Sequence, residues 1–224
     1  MDDNVIGYKS LKECVYEYLS KELECGGLKP GEIIDEKQLC NKLNVSRTPI
    51  REALIQLETE GFVTILPRRR IYVRELNLKD IENIYQIVGA LEAAAAERAL
   101  DRMTDKHVAE LERLYEKMEK ALRRGDFSKH MDYNLQTHEL FLKLNGNELL
   151  TKTVLLLKKR LYDFPEIIKE VPEWDNMLLA QHRKMIELCR KKQKKALSRL
   201  LSDTHWNFEK NRSHVVTYYS SNND

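Results

Sequence analysis

Glycine and proline are scarce in this chain, at 8 and 5 of 224 residues. Beyond Pro67 only Gly89, Gly125, Gly146, Pro165 and Pro172 remain, so the change near residue 75 marks a domain boundary, with a turn-rich segment before it and a turn-poor one after. Cysteine is also sparse. The four residues (14, 25, 40 and 189) lack any C-x-x-C spacing, which excludes a disulfide framework and reads as reduced, largely buried thiols. No run approaches the ~18 apolar residues of a membrane span. The N-terminus is acidic, without the basic and apolar regions of a secretory leader, so a soluble, cytoplasmic protein with no membrane partner is expected. A large net charge is missing too: the formal value is only +2, and no global basic field announces a polyanion.

The local charge is more informative. Lys37 to Arg74 carries eight Lys/Arg against three Glu, whereas Met1 to Glu36 carries four Lys against nine Asp/Glu. A basic patch of that kind suffices for phosphate binding. Around it, Leu11, Val15, Tyr18, Leu19 and Leu23 recur at helical spacing, and Leu39 and Leu43 give a second short helix, Asp35 to Leu43, its inner face. Ser46 is placed to cap a third helix, with Pro49 early where a missing N–H costs least. Ile50, Ala53, Leu54 and Leu57 form that helix's buried stripe, which stops at Gly61. Phe62 to Ile65 and Ile71 to Val73, joined through Pro67-Arg68-Arg69-Arg70, read as a β-hairpin with a basic tip. Three helices and a hairpin make a winged helix-turn-helix over residues 1–74. A hinge is expected at 75–80, and an all-α bundle over 81–224. Its six helical segments run roughly over 78–101, 104–123, 127–145, 147–164, 171–190 and 193–216. The fold class is therefore mainly α.

A recognition helix enters the major groove and reads base edges with side chains near its N-terminus. Arg47 and Arg51, at i and i+4, share one face of the third helix. Ser46 and Thr48 sit where hydroxyls and helix-start amides grip phosphate, and Lys37 is placed to hold the backbone across the groove. The competing view is a solvated Arg/Glu surface with Arg51 paired to neighbouring acids.

Gly27, Pro30 and Gly31, then Val45-Ser46-Arg47-Thr48-Pro49-Ile50-Arg51-Glu52-Ala53-Leu54, then Leu57, Glu60, Gly61, Phe62 and Val63 resemble the GntR family of bacterial transcription regulators over nearly all of residues 8–74. The resemblance implies a non-enzymatic regulator that binds a double-stranded operator as a homodimer. It implies DNA contacts at Lys37, Ser46, Arg47, Thr48 and Arg51, and a wing tip in the minor groove. Arg68-Arg69-Arg70 departs from it by an arginine where many members have glycine, adding a charge suited to a narrow minor groove.

The helical half resembles that family's FCD subgroup, whose bundle senses small carboxylates, often through a bound metal. His138 with Gly146-Asn147, His182-Arg183 and His205 carry the likeness. Helix phase, at about 100° per residue, supports an inward position for two of them. Met131, Asn134, Leu135, His138, Phe141 and Leu142 share one face, and His182 lies among Leu178, Leu179, Met185, Ile186 and Cys189. On the last helix Thr204 is central to the apolar face and His205 lies toward its edge. Imidazoles suit Zn, Ni, Fe or Mn. The expected effector residues are Asn134, His138, His182, Thr204 and His205, with the three histidines as metal ligands.

Three positions depart from the resemblance. Asn134 stands where metal-binding relatives carry Asp, and Val88 replaces an arginine that often faces the effector. His205 follows His182 by 23 residues where 22 is usual. Glu92, one turn after Val88 on the same face, has two readings, a residue serving the pocket or an ion-pair partner of a nearby Lys or Arg, and the second is preferred. The family implies repression relieved by ligand. A DNA-binding regulator whose helical half only dimerises is the alternative. A metal-dependent enzyme is a distant third, since the inner faces offer neither H-E-x-x-H nor paired carboxylates.

Overall fold

A computed structural model describes residues 9–67, 70–162 and 171–219. The chain forms two compact units that divide between Leu76 and Asn77, and the last turn before Tyr162 groups with the first unit.

In the first unit, α1 (Leu11–Glu24) starts with a reciprocal cap. Glu13 N–H donates to Ser10 Oγ at 3.2 Å, and Ser10 N–H donates to the Glu13 carboxylate at 2.7 Å. Asp35 caps α2 (Glu36–Leu43), accepting from the amides of Lys37 and Gln38. The helix stops at Asn44, whose φ of 52° starts the turn into α3 (Arg47–Glu60). Ser46 occupies the N-cap of α3, but its hydroxyl accepts no bond from the first turn. The reason is local: Pro49 stands three residues on, where the usual donor N–H would be, and proline has none. Ile50, Ala53, Leu54 and Leu57 are buried as the periodicity requires, and Gly61 ends the helix at φ 85°.

The wing is an antiparallel pair, β1 (Val63–Leu66) and β2 (Arg70–Val73), in register Val63 with Val73 and Leu66 with Arg70. Arg70 is thus the first residue of β2 rather than part of the tip. Arg68 and Arg69 lie outside the described residues. A single bridge from Ile33 to Tyr72 adds a third chain segment to the sheet edge.

The second unit begins with α4 (Leu78–Arg102), capped by Asn77 and Asp80, so the segment 75–80 already contains the first helical residues. It continues through α5 (Asp105–Arg123), α6 (Phe127–Asn145), α7 (Glu148–Tyr162) and α8 (Pro172–Arg190). Helix α4 packs on α6, and α5 on α6 and α8, around a core that includes Ile84, Val88, Leu111, Met118 and Phe141. The cysteines are not largely buried as expected: only Cys189, on α8, is enclosed, while Cys14 and Cys25 are exposed and Cys40 is half-buried.

The sixth segment is not one helix. It divides into α9 (Lys194–Leu200), a π-helical turn at Leu201–His205, and α10 (Phe208–Tyr219), so that α4 to α10 make seven α-helices after residue 76 among the described residues. Trp206 N–H closes the π turn on Leu201 O at 2.9 Å, a bond spanning five residues rather than four. Asn207 then caps α10 through its bond from Lys210 N–H. Gly89 on α4 makes room for the bend, because a Cβ there would lie 2.8 Å from Trp206 Cβ.

Candidate nucleic-acid interface and histidine centre

On the first unit, α3 presents Ser46, Arg47 and Thr48 exposed at its start, with Arg51 half-buried one turn on and Lys37 exposed at the start of α2. Glu36 joins the two arginines. Its carboxylate accepts from Arg51 Nε at 3.0 Å and lies 3.7 Å from Arg47 Nε, while only 12% of the Glu36 side chain is exposed. Sequence reasoning counted Glu36 only as part of an acidic segment. Its place in the first turn of α2, one residue before Lys37, was the available clue. With Nε engaged, the terminal nitrogens of Arg51 remain as a planar fork, the geometry that pairs with guanine O6 and N7.

In the second unit three histidines meet. His138 comes from α6, His182 from α8 and His205 from the π turn, and one ring nitrogen of each lies within 4.8 Å of the other two. All three are buried. The π turn explains His205. Phase counting at 100° per residue puts Thr204 inward, but one extra residue in the turn moves the inward position to His205. The spacing of 23 is thereby absorbed. Thr204 is half-buried outside the cluster, and its carbonyl accepts from Asn211 Nδ2.

The surroundings fix the tautomers. His182 Nδ1 donates to Leu178 O at 2.7 Å, and His205 Nδ1 to Gln181 Oε1 at 2.8 Å, so each presents an Nε2 lone pair. His138 Nδ1 lies 2.7 Å from Glu92 Oε2, an ion-pair distance at which the ring N–H is not aligned on the oxygen. Glu92 does pair with a lysine, accepting from Lys158 Nζ at 2.9 Å, and it also accepts from Trp206 Nε1 at 2.7 Å. Sequence periodicity could not place it beside His138, 46 residues away.

Burial pushes the imidazoles toward neutrality. His182 is lowered to about 3 by desolvation and then by His138, and His205 falls well below its ordinary value for the same reasons. His138 is lowered by desolvation, which outweighs the opposing pull of Glu92. Burial alone would raise the Glu92 carboxyl, but the facing His138 and Lys158 hold it far below the usual range.

His138 Nε2, His182 Nε2 and the amide oxygen of Asn134 are buried without a hydrogen-bond partner. Orphaned imidazole nitrogens are costly unless something ligates them. With His205 beside them, these two histidines suit a divalent transition metal with coordination positions left open. Val88, on α4 one turn before Glu92, is fully buried and supplies no charge.

Comparison with known proteins places both halves. Residues 11–73 match the family described as "Bacterial regulatory proteins, gntR family", and residues 83–205 match the FCD domain. The HTH-type transcriptional regulator YdhC of Bacillus subtilis (strain 168) is 33% identical over 183 residues, 81% of each chain. The HTH-type transcriptional repressor RspR of Escherichia coli (strain K12) is 28% identical over 193 residues, covering 84% of this chain and 82% of its own. Among solved structures, E. coli McbR/YncC superposes with a TM-score of 0.71 at 24% identity, covering 94% of this chain and 99% of its own, a likeness of fold.

Proposed function

Because this chain belongs to the GntR family of bacterial regulators and carries an FCD domain, we propose that it is an effector-controlled repressor that binds its operator as a homodimer. That it is a DNA-binding transcription regulator follows from the family, whose members here are regulators rather than enzymes. No described helix is long and apolar enough to cross a membrane.

On the DNA side, Arg47 and Arg51 read base edges from α3, while Lys37, Ser46 and Thr48 grip phosphates. The unbonded Ser46 hydroxyl at the helix start supports that role. Arg70, exposed on β2, and the wing arginines Arg68 and Arg69 supply the minor-groove contact. A homodimer is supported by apolar positions left uncovered on α4, where exposed Ile87, Ala90 and Ala94 recur at helical spacing beside half-buried Leu91, and by exposed Leu149 and Leu155 on α7. RspR is named a repressor, and we assign the same sign here.

The observation that carries the sensing role is the buried triad His138, His182 and His205, with Asn134 one turn before His138. These residues would hold a divalent metal, Zn, Ni, Fe or Mn, which when bound would attract an anionic oxygen of a small carboxylate. The chain's own part is to aim the three nitrogens, exclude water and keep the imidazoles neutral. Effector binding controls DNA binding only through a differential affinity for two arrangements of the dimer.

The test begins with a duplex site selected by the wild-type protein from a random pool. Arg47→Ala and Arg51→Ala should each weaken binding to it by about 1–3 kcal/mol, with unchanged helix content and dimer mass. A small carboxylate added with metal should release the selected DNA, and His138→Ala with His182→Ala should abolish that release. Undiminished binding by the arginine variants would remove the assigned contacts. Release that survives loss of both histidines would remove the sensor.

A further inference from the structure

We propose that the histidine centre takes up its metal and an anionic effector together, each weakly alone, because its donor set supplies no negative charge. This rests on the metal-and-effector role just proposed and concerns its regulation.

A ligating imidazole is neutral, so His138, His182 and His205 contribute no charge. Asn134 stands one turn before His138, 8% exposed, with an unpartnered amide oxygen, and an amide contributes none either. Glu92 and Asp175 are the buried acids among the described residues. Neither is uncommitted. Glu92 faces Lys158 at 2.9 Å, Trp206 Nε1 at 2.7 Å and His138, and Asp175 lies 3.8 Å from His130 Nε2. The Glu92–Lys158 pair sums to zero, and neither acid belongs to the cluster of mutually close ligand atoms. A dication placed there keeps its full charge in a desolvated interior, where an uncompensated charge is strongly unfavourable. The missing negative charge must arrive with the ligand. Among the described residues the one buried lysine, Lys158, is already paired and Val88 offers no charge, so an anion entering alone meets no free buried cation there. Metal and anion therefore raise each other's affinity by one shared factor, as linkage requires. The effector class is then a small anion that brings the missing negative charge to the metal, and the regulator responds only when both are present.

The experiment uses the full-length protein stripped of metal. Ni(II) affinity is measured by competition with a chromophoric chelator, in buffer alone and with saturating acetate, succinate or inorganic phosphate. Nickel is chosen because its bound water is a weaker acid than zinc's and does not supply its own hydroxide. The expected result is a rise of about 5–150-fold with at least one of these anions. Asn134→Asp, nearly isosteric but charged, should bind Ni(II) tightly without anion and lose most of the dependence. The wild-type comparison stands alone should the aspartate variant fold poorly. Equal Ni(II) affinity with and without every anion overturns the coupling while leaving the metal site intact. No Ni(II) binding to either protein under any condition overturns the metal site and the coupling with it.

Discussion

Acidification of the metal-free protein probes the histidine centre most directly. His182 is buried, and its folded pKa is about 3 against an ordinary 6.5. The unfolded chain therefore binds a proton that the folded chain refuses throughout the interval between those values. By linkage, stability is fully present above about pH 6.5 and is lost as pH falls toward 3. From about pH 7.5 to about pH 5, His182 alone should remove ~2 kcal/mol from the stability of the helical unit. His138 and His205 are shifted in the same direction, so ~2 kcal/mol is a lower bound for the three. Both tryptophans, Trp174 and Trp206, lie in that unit, so their fluorescence during urea unfolding in chelator reports on it without interference from the DNA-binding half. His182→Leu should flatten the pH dependence by ~2 kcal/mol over the interval. Saturating metal should do the same to the wild type, since a ligated nitrogen cannot take the proton. A leucine variant with the full wild-type acid sensitivity would refute the placement of a neutral, desolvated imidazole at residue 182.

The contact between Glu36 and the two arginines makes a separate prediction. Glu36→Gln should lower discrimination between the selected operator and random duplex while raising affinity for random DNA at low salt, as seen in parallel titrations of both. Unchanged discrimination would mean that Glu36 does not orient the arginines. Gly89→Ala pits two effects against each other. Alanine gains about 1 kcal/mol of helix propensity, but its Cβ would lie 2.8 Å from Trp206 Cβ, and overpacking costs about 1–3 kcal/mol. Net destabilisation in urea is expected, with a shift in Trp206 emission as its bond to Glu92 is displaced. A stabilised variant would show that α4 and the π turn can separate freely.

Much of this protein is legible along the chain. Val45 to Leu54 specifies its helix by the apolar spacing of Ile50, Ala53 and Leu54, and it sets Arg47 and Arg51 on one face because four residues make about one turn. The thinning of glycine and proline near residue 75 falls at the observed division between units. His138 and His182 were placed inward by phase alone, since α6 and α8 are regular helices across those positions. The same arithmetic failed at His205, because phase counting presumes a constant rise per turn and the π turn inserts a residue. It failed at Ser46 as well, where the capping rule ignored the proline that removes the donor.

What the sequence determined by itself is therefore local: which segments are helices, which faces they bury, and which side chains a single helix sets together. Only the tertiary structure decided the encounters between segments. Glu36 between two arginines, Glu92 among His138, Lys158 and Trp206, and Gly89 beneath Trp206 are meetings of residues separated by up to 117 positions. Periodicity carries information over a few turns of one helix. Partners on different helices are chosen by how the buried faces dock and by the need to satisfy every charge enclosed between them.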